Sequence, residues 1–312
     1  MTESEWELRD LGDRRVLTVG GQEHSTGYSE RVVRMLIERK GPQRAALYFP
    51  FKETRGRHFL APLFAYLRAR GAKNLNVLEI GCSFGHMTEY LDEQPEVVRI
   101  FTLETDSAFV AMVRAKVDDG ALGKVAEVLS LGNDETRRLP YPDASFDLVL
   151  AVGVVEHLPT RNRRAQVDEY YRVLAHGGHI AILDTPNRAF PVETHSVGLP
   201  LVQWLPAPLA YRYARLCRPG RFGDVPYAEF VADGTGWRNA TYADCLPSFG
   251  AQGLEDVTEE AGYGWRFFRD TARSWARRAS LPFFGAACGA IAAAGGSPSR
   301  ALPYFNLVFR KR

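Results

Sequence analysis

From Leu75 onward, short apolar runs of strand length alternate with amphipathic stretches of helix length, and few folds accommodate that rhythm. The runs lie at 75–80 (LNVLEI), 98–103 (VRIFTL), 125–130 (VAEVLS), 146–152 (FDLVLAV) and 179–184 (HIAILD). Between them, helices are predicted over 86–93, 107–118 and 161–174, the last with Val167, Tyr170, Tyr171 and Leu174 on one face. Uninterrupted apolar strands are buried on both faces, and their alternation with helices predicts an α/β fold with a doubly wound, mostly parallel sheet. A sixth strand is expected near 254–260, and the terminal run 304–310 (YFNLVFR) is expected to close the sheet.

The residues before Leu75 read as helical. Leu60, Leu63, Phe64 and Leu67 recur at helical spacing until Gly71, and Val32, Met35 and Leu36 form an earlier apolar seam. The expected organisation is an N-terminal helical segment over 1–71 followed by one domain over 72–312. Two segments interrupt the domain's rhythm. Residues 187–247, rich in Pro, aromatic residues and Arg, follow the fifth strand, and residues 262–303 separate the last two. Interruptions this long are usually lids or added subdomains.

Composition narrows the function. The chain has 312 residues and a net charge of +2, so it lacks the basic surplus that phosphate-driven nucleic-acid binding needs. Its four cysteines (Cys82, Cys217, Cys245, Cys288) form no CxxC pair, which argues against a zinc ribbon or disulfide scaffold and for a reducing, cytoplasmic setting. Met1 to Asp10 carries four acidic residues, unlike a secretory signal. The most apolar stretch, Leu281 to Gly295, is broken by Pro282 and three glycines and is shorter than the roughly 20 residues a bilayer crossing requires. A soluble protein is expected, at most resting on a membrane surface.

The first strand runs through Val77-Leu78-Glu79-Ile80 into Gly81-Cys82-Ser83-Phe84-Gly85 and then a helix. Gly81 and Gly85 let the backbone approach a ligand in the crevice beyond the strand ends. Glu104 closes the second strand 23 residues after Gly81, where a carboxylate can accept hydrogen bonds from both ribose hydroxyls of an adenosine-containing ligand. A dinucleotide fingerprint would need glycines where Ser83 and His86 stand, so close approach of a pyrophosphate is poorly served. Glu79 suits a ligand carrying a positive amino group.

VLEIGCSFG resembles the first motif of class I S-adenosylmethionine-dependent methyltransferases, and further segments fall in that family's order. Asn133-Asp134-Glu135 with Leu139 through Asp147 is similar to its adenine-side loop and fourth strand. Val155-Glu156-His157-Leu158 looks like its post-strand segment, and Arg172 through His179 with Thr185-Pro186-Asn187-Arg188 resembles its final helix, double-glycine turn and fifth strand. The resemblance covers about 75–188 and implies a Rossmann-like sheet of seven strands with the last antiparallel. It also implies S-adenosyl-L-methionine as cofactor, held by Glu79, Gly81, Cys82, Gly85, Glu104, Thr105, Asp134, Glu135 and Val152. Ser83 replaces the middle glycine of the motif, and an extra residue before Leu139 leaves open which of 133–135 faces the adenine.

Methyl transfer from a sulfonium needs alignment and exclusion of water; a hydroxyl acceptor also needs a base or a metal. His86 opens the helix after the glycine turn and either reaches the cofactor carboxylate or caps that helix. Glu156-His157 follows the fourth strand and Glu193-Thr194-His195 the fifth, so adjacent strand ends would place His157 and His195, with Glu156, on the acceptor side. The histidines then serve as a base tuned near neutral pH, or else all three residues only fix the loops. A metal reading of Glu156, His157 and His195 resembles some RNA 3′-end and quinone methyltransferases, but Gly153 stands where their first Glu would be. No metal is therefore expected.

The insertions point toward the acceptor. Residues 199–215, with Trp204, Tyr211 and Tyr213, suggest an apolar cover over a pocket, making 187–247 a lid. Residues 265–295 set aromatic residues among arginines, a pattern compatible with peripheral membrane contact or with a packed helical subdomain. The expected function is S-adenosylmethionine-dependent methylation of a small-molecule oxygen, on a sugar, lipid-linked glycan or natural product. The rivals are a nicotinamide (NAD)-dependent oxidoreductase and a non-catalytic scaffold that binds the cofactor.

Overall fold

The computed structural model describes residues 6–312; residues 1–5, part of the expected acidic, helical start, lie outside them. The chain forms two compact units, dividing between Leu131 and Gly132. Its architecture is α/β, with a seven-stranded, mostly parallel sheet in the order β6-β5-β4-β7-β8-β10-β9 and a separate three-stranded sheet, β1-β2-β3.

The first unit opens with that small sheet and not with helices. Strands β1 (Trp6–Asp10), β2 (Arg15–Val19) and β3 (Gln22–Thr26) form an antiparallel meander. Val19 pairs with Gln22 across Gly20 and Gly21, both at positive φ, the two-residue loop that matches strand twist. The meander earns its place through β2, whose Leu17 and Val19 pack with Val32, Val33 and Leu36 of α1 (Glu30–Lys40). Helices α2 (Pro42–Tyr48) and α3 (Arg57–Ala69) follow. Strands β4 (Leu75–Ile80), β5 (Val97–Glu104) and β6 (Val125–Ser130) pair in parallel, linked by α4 (His86–Asp92) and α5 (Ser107–Asp118).

In the second unit, β7 (Phe146–Val152) pairs in parallel with β8 (Leu174–Pro186), joined by α6 (Arg163–Val173). The terminal strand β10 (Tyr304–Lys311) runs antiparallel to β8 and to the short β9 (Leu254–Asp256). It slots between them, and β9 forms that edge of the sheet. Strand β8 begins at Leu174 and takes in the double glycine. A side chain at Gly178 would lie 2.9 Å from both the Asp147 carbonyl and Leu174, so only glycine lets the strand pass.

Both insertions are folded. Residues 187–247 hold α7 (Ala207–Cys217), α8 (Pro219–Phe222) and α9 (Tyr227–Phe230) around their own apolar cluster, which includes Val197, Leu199, Val202, Ala210, Phe230 and Trp237. Residues 262–303 hold α10 (Gly264–Asp270) and α11 (Trp275–Ala293). Among the described residues no helix is long and apolar enough to cross a membrane.

Candidate active site

In the first unit the candidate cofactor residues gather at the carboxyl ends of β4 and β5. The turn after β4 bends sharply: Gly81, Ser83 and Gly85 all have positive φ, at 70°, 49° and 86°. A side chain at Gly85 would also meet Val113 at 3.0 Å, so this glycine answers both a backbone and a packing demand. The amides of Gly81 and Cys82 donate to the Leu103 carbonyl at 2.9 and 3.2 Å, tying the turn to the end of β5.

Glu104 completes that tie. Its Oε2 accepts the Ser83 amide at 2.8 Å, while Oε1 accepts the amides of Thr105 and Asp106 at 2.7 and 3.0 Å and the Thr105 hydroxyl at 3.3 Å. The carboxylate is thus held in one orientation, with a single protein bond on Oε2 among the described residues. A carboxylate oxygen takes about two such bonds, so Oε2 keeps acceptor capacity for a ligand hydroxyl. This fits the ribose of an adenosine-containing cofactor.

Glu79 and Cys82 lie deeper. Burial pushes the Glu79 carboxyl up to about 7, opposed by the Thr88 hydroxyl, which donates to it at 2.6 Å. Burial likewise raises the Cys82 thiol well above its ordinary range, so it is no nucleophile and serves to pack the turn. His86 is buried and pushed down to about 3, first by desolvation and then by the charges of Arg55 and Lys116. It stays neutral and makes no cap for α4, whose N-cap is Gly85 without a side-chain bond.

Sequence reasoning passed over Lys116. Its fully buried Nζ donates to the Phe84 carbonyl at 2.6 Å and to Glu89 at 2.5 Å, and sits 3.4 Å above the Phe84 ring. Tyr28 donates to the other Glu89 oxygen at 3.0 Å. The glycine turn therefore rests on a buried cation that α5 supplies, a residue type usually assigned to solvent.

The remaining cofactor candidates belong to the second unit. Asp134 Oδ1 accepts from Asn162 at 2.8 Å, while Glu135 folds back to accept the Gly132 amide at 2.6 Å. Both are exposed, and Val152 ends β7 half-buried.

The second unit also brings together Glu156, His157 and His195. Strands β7 and β8 are adjacent and parallel, so the loops that follow them emerge at the same sheet end. The two Nε2 atoms lie 3.0 Å apart, and Glu156 Oε1 stands 4.0 Å from His157 Nε2 and 3.9 Å from His195 Nε2. Glu156 is buried while both rings are partly open. His157 Nδ1 is 2.6 Å from the Gly234 carbonyl, which can only accept, so Nδ1 carries the hydrogen. The Nε2 of neutral His157 is then the acceptor, and His195 donates to it.

Three supports hold this geometry. Glu193, fully buried, accepts the amides of His195 and Ser196 at 2.7 Å on one oxygen and those of Val197 and Gly198 at 2.5 and 2.9 Å on the other. Buried Arg163 donates to the carbonyls of Glu156 and Leu158 at 3.0 and 3.1 Å and pairs with Asp244 at 3.3 Å. Gly236 (φ 74°) presses on both rings: a side chain there would lie 3.1 Å from His157 and 3.2 Å from His195. A cavity of about 230 Å³ adjoins, lined by Glu156, Arg163, Gly234, Gly236 and Trp237 among others.

Comparison with known proteins now gives the assignment. Residues 78–182 match the family described as Methyltransferase domain. The chain is 36% identical over 115 residues to a probable S-adenosylmethionine-dependent methyltransferase of Mycolicibacterium smegmatis, covering 36% of this chain and 38% of that protein. It is 31% identical over 158 residues to the probable tRNA methyltransferase 9B of Bos taurus, covering 49% and 30%. It is also 31% identical over 112 residues to the 27-O-demethylrifamycin SV methyltransferase of Amycolatopsis mediterranei, covering 35% and 38%. The matches span 30–38% of these relatives' own lengths. The family match sets aside the nicotinamide reading. Residues 78–182 thus form a methyltransferase domain of the class I, S-adenosylmethionine-dependent kind.

Proposed function

We propose that residues 72–312 act as a methyltransferase on an oxygen of a small molecule, such as a sugar, a lipid-linked glycan or a natural product. The observation that carries this is the histidine pair with its buried carboxylate. When bound, S-adenosylmethionine supplies a methyl group already activated on sulfonium. An amine acceptor needs little further help, whereas a hydroxyl must lose its proton as the carbon–oxygen bond forms.

The pair has room for that proton. Neutral, it holds one hydrogen on the Nε2–Nε2 line and one on His157 Nδ1. The acceptor's proton, taken at His195 Nδ1, makes that ring an imidazolium that still donates its Nε2–H to His157 and carries one positive charge. A carboxylate at about 4 Å offsets such a charge by roughly 1 kcal/mol in water and about 4 kcal/mol in a protein-like surrounding. The histidine pair would take the acceptor's O–H proton as its oxygen accepts the methyl group, and bound S-adenosylmethionine would supply that methyl and keep the C–S electron pair.

In this reading Glu104 holds the ribose, the glycine turn admits the cofactor, and the insertion 187–247 covers the acceptor. The insertion has its own apolar core, which supports a cover that would move as one packed body. A cavity of about 460 Å³ against it is lined by Asn187, Arg188, Trp204, Tyr242, Arg300 and Phe305, apolar walls with two cations for a polar acceptor. The even charge balance supports a small-molecule acceptor over tRNA.

One observation favours a second reading, a divalent metal on the same residues. One ligand atom each from Glu156, His157 and His195 lies within 4.8 Å of the others. The hydrogen bond from His157 Nδ1 to a carbonyl is also the outer support that metal-bound imidazoles commonly have. Gly153 offers no second carboxylate as a fourth ligand.

Three outcomes test the proposal. Glu104→Ala should cost about 1.5–3 kcal/mol of cofactor binding, roughly ten- to over a hundredfold. Calorimetry with S-adenosylhomocysteine measures this, and an unchanged affinity would misplace the ribose. In an acceptor screen with labelled methyl donor, label should enter hydroxylated small molecules and not tRNA. His157→Ala and His195→Ala should each depress that transfer while S-adenosylhomocysteine still binds. If a chelator abolishes turnover and a divalent ion restores it, the metal reading replaces the base; if no acceptor is labelled, the chain is a binding scaffold. Finally, amides of 195–215 should gain hydrogen-exchange protection when S-adenosylhomocysteine and the labelled acceptor are added together. Equal protection with and without them would show a fixed subdomain and no lid.

A further inference from the structure

Soluble helices normally show solvent a charged or polar face. Helix α11 does not. Of its 19 residues only Phe284 and Cys288 are buried, and no charged residue occurs between Arg278 and Arg300. Its inward side meets Phe268 and Leu302. Its outward side offers Trp275, 83% exposed, and Phe283, 74% exposed, among alanines. Residues 266–278, at its amino end, hold five arginines against one aspartate. Arg266, Arg273 and Arg278 are exposed and make no ion pair among the described residues.

Helix α7 repeats the pattern. It exposes Leu209 and Leu216, the latter by 81%, beside Arg212 and Arg215, and no acidic residue occurs over 196–223. Seven of the twelve exposed large hydrophobic residues fall in the two insertions, including the three most exposed, Trp275, Leu216 and Phe283. Scattered apolar side chains need no explanation, but large ones concentrated on helices that carry arginine and no acid do.

We infer that α11 is a docking surface for an anionic lipid bilayer, which it meets in plane without crossing, and that α7 carries a second patch of the same character. Aromatic and leucine side chains enter the boundary between headgroups and acyl chains, and exposed arginines meet the lipid phosphates. Charge selects this occupant over a second copy of the chain, because a symmetric contact would set arginines against arginines. The surface is independent of the histidine pair and holds whatever the acceptor is.

The test is sedimentation of the full 312-residue chain with phosphatidylcholine vesicles, with and without phosphatidylglycerol. Binding should require the anionic lipid and weaken with salt. The double variant Trp275→Ser/Phe283→Ser should lower it on the order of tenfold or more. Arg266→Gln/Arg273→Gln should also lower it, each basic side chain near the surface being worth roughly fivefold. These side chains are exposed, so thermal melting and S-adenosylhomocysteine affinity should not change. Absence of binding to anionic vesicles overturns the inference, as does binding that these variants leave intact. A dimer by light scattering that Trp275→Ser/Phe283→Ser converts to a monomer, with no vesicle binding by either form, would make the patch a self-interface and overturn it too.

Discussion

One carbonyl decides what the histidine pair can do. Gly234 O accepts from His157 Nδ1 at 2.6 Å, which leaves His157 Nε2 as a lone pair aimed at His195. Were that hydrogen on Nε2, two donors would confront each other at 3.0 Å and the pair would not form in neutral rings. Much of the local architecture serves to keep the carbonyl and the two rings in register. Gly236 permits the close approach, Arg163 fixes the loop after β7, and Glu193 clasps the loop that carries His195.

Buried charge recurs as the organising device. Glu193 collects four amides and Glu104 three amides and a hydroxyl, so each converts an irregular loop into a fixed one. Lys116 does the same from the opposite sign, pinning the Phe84 carbonyl. Hydrogen bonds to charged groups are worth about 1.5–3 kcal/mol each, enough to offset the entropy of ordering a few loop residues. Glu156 differs from these three: it stands beside two partly open imidazoles and is placed to answer a proton that arrives there.

How far the sequence revealed this depends on what each signal requires. Strands β4, β5, β7 and β8 are nearly continuous apolar runs because a central parallel strand is covered on both faces, so they were legible. Strands β1 and β3 (WELRD and QEHST) are largely exposed and lack an apolar run, so their sequence carries no strand signal, while the apolar seams of α1 and α3 do signal helix. Cofactor candidates were legible because glycine spacing and a terminal carboxylate are local features. The pairing of His157 with His195 followed from neighbouring strand ends, but the clasp by Glu193 and the burial of Lys116 arise from loop and helix packing that carries no periodic signature.

The most direct test needs no acceptor. Long-range proton–nitrogen correlation spectra of the histidine rings report which nitrogen bears hydrogen in each. Near neutral pH, His157 should carry it on Nδ1 with an unprotonated Nε2, and His195 should carry one on Nε2. A neutral His157 protonated on Nε2 instead would break the bond to Gly234 and contradict the proton-accepting pair.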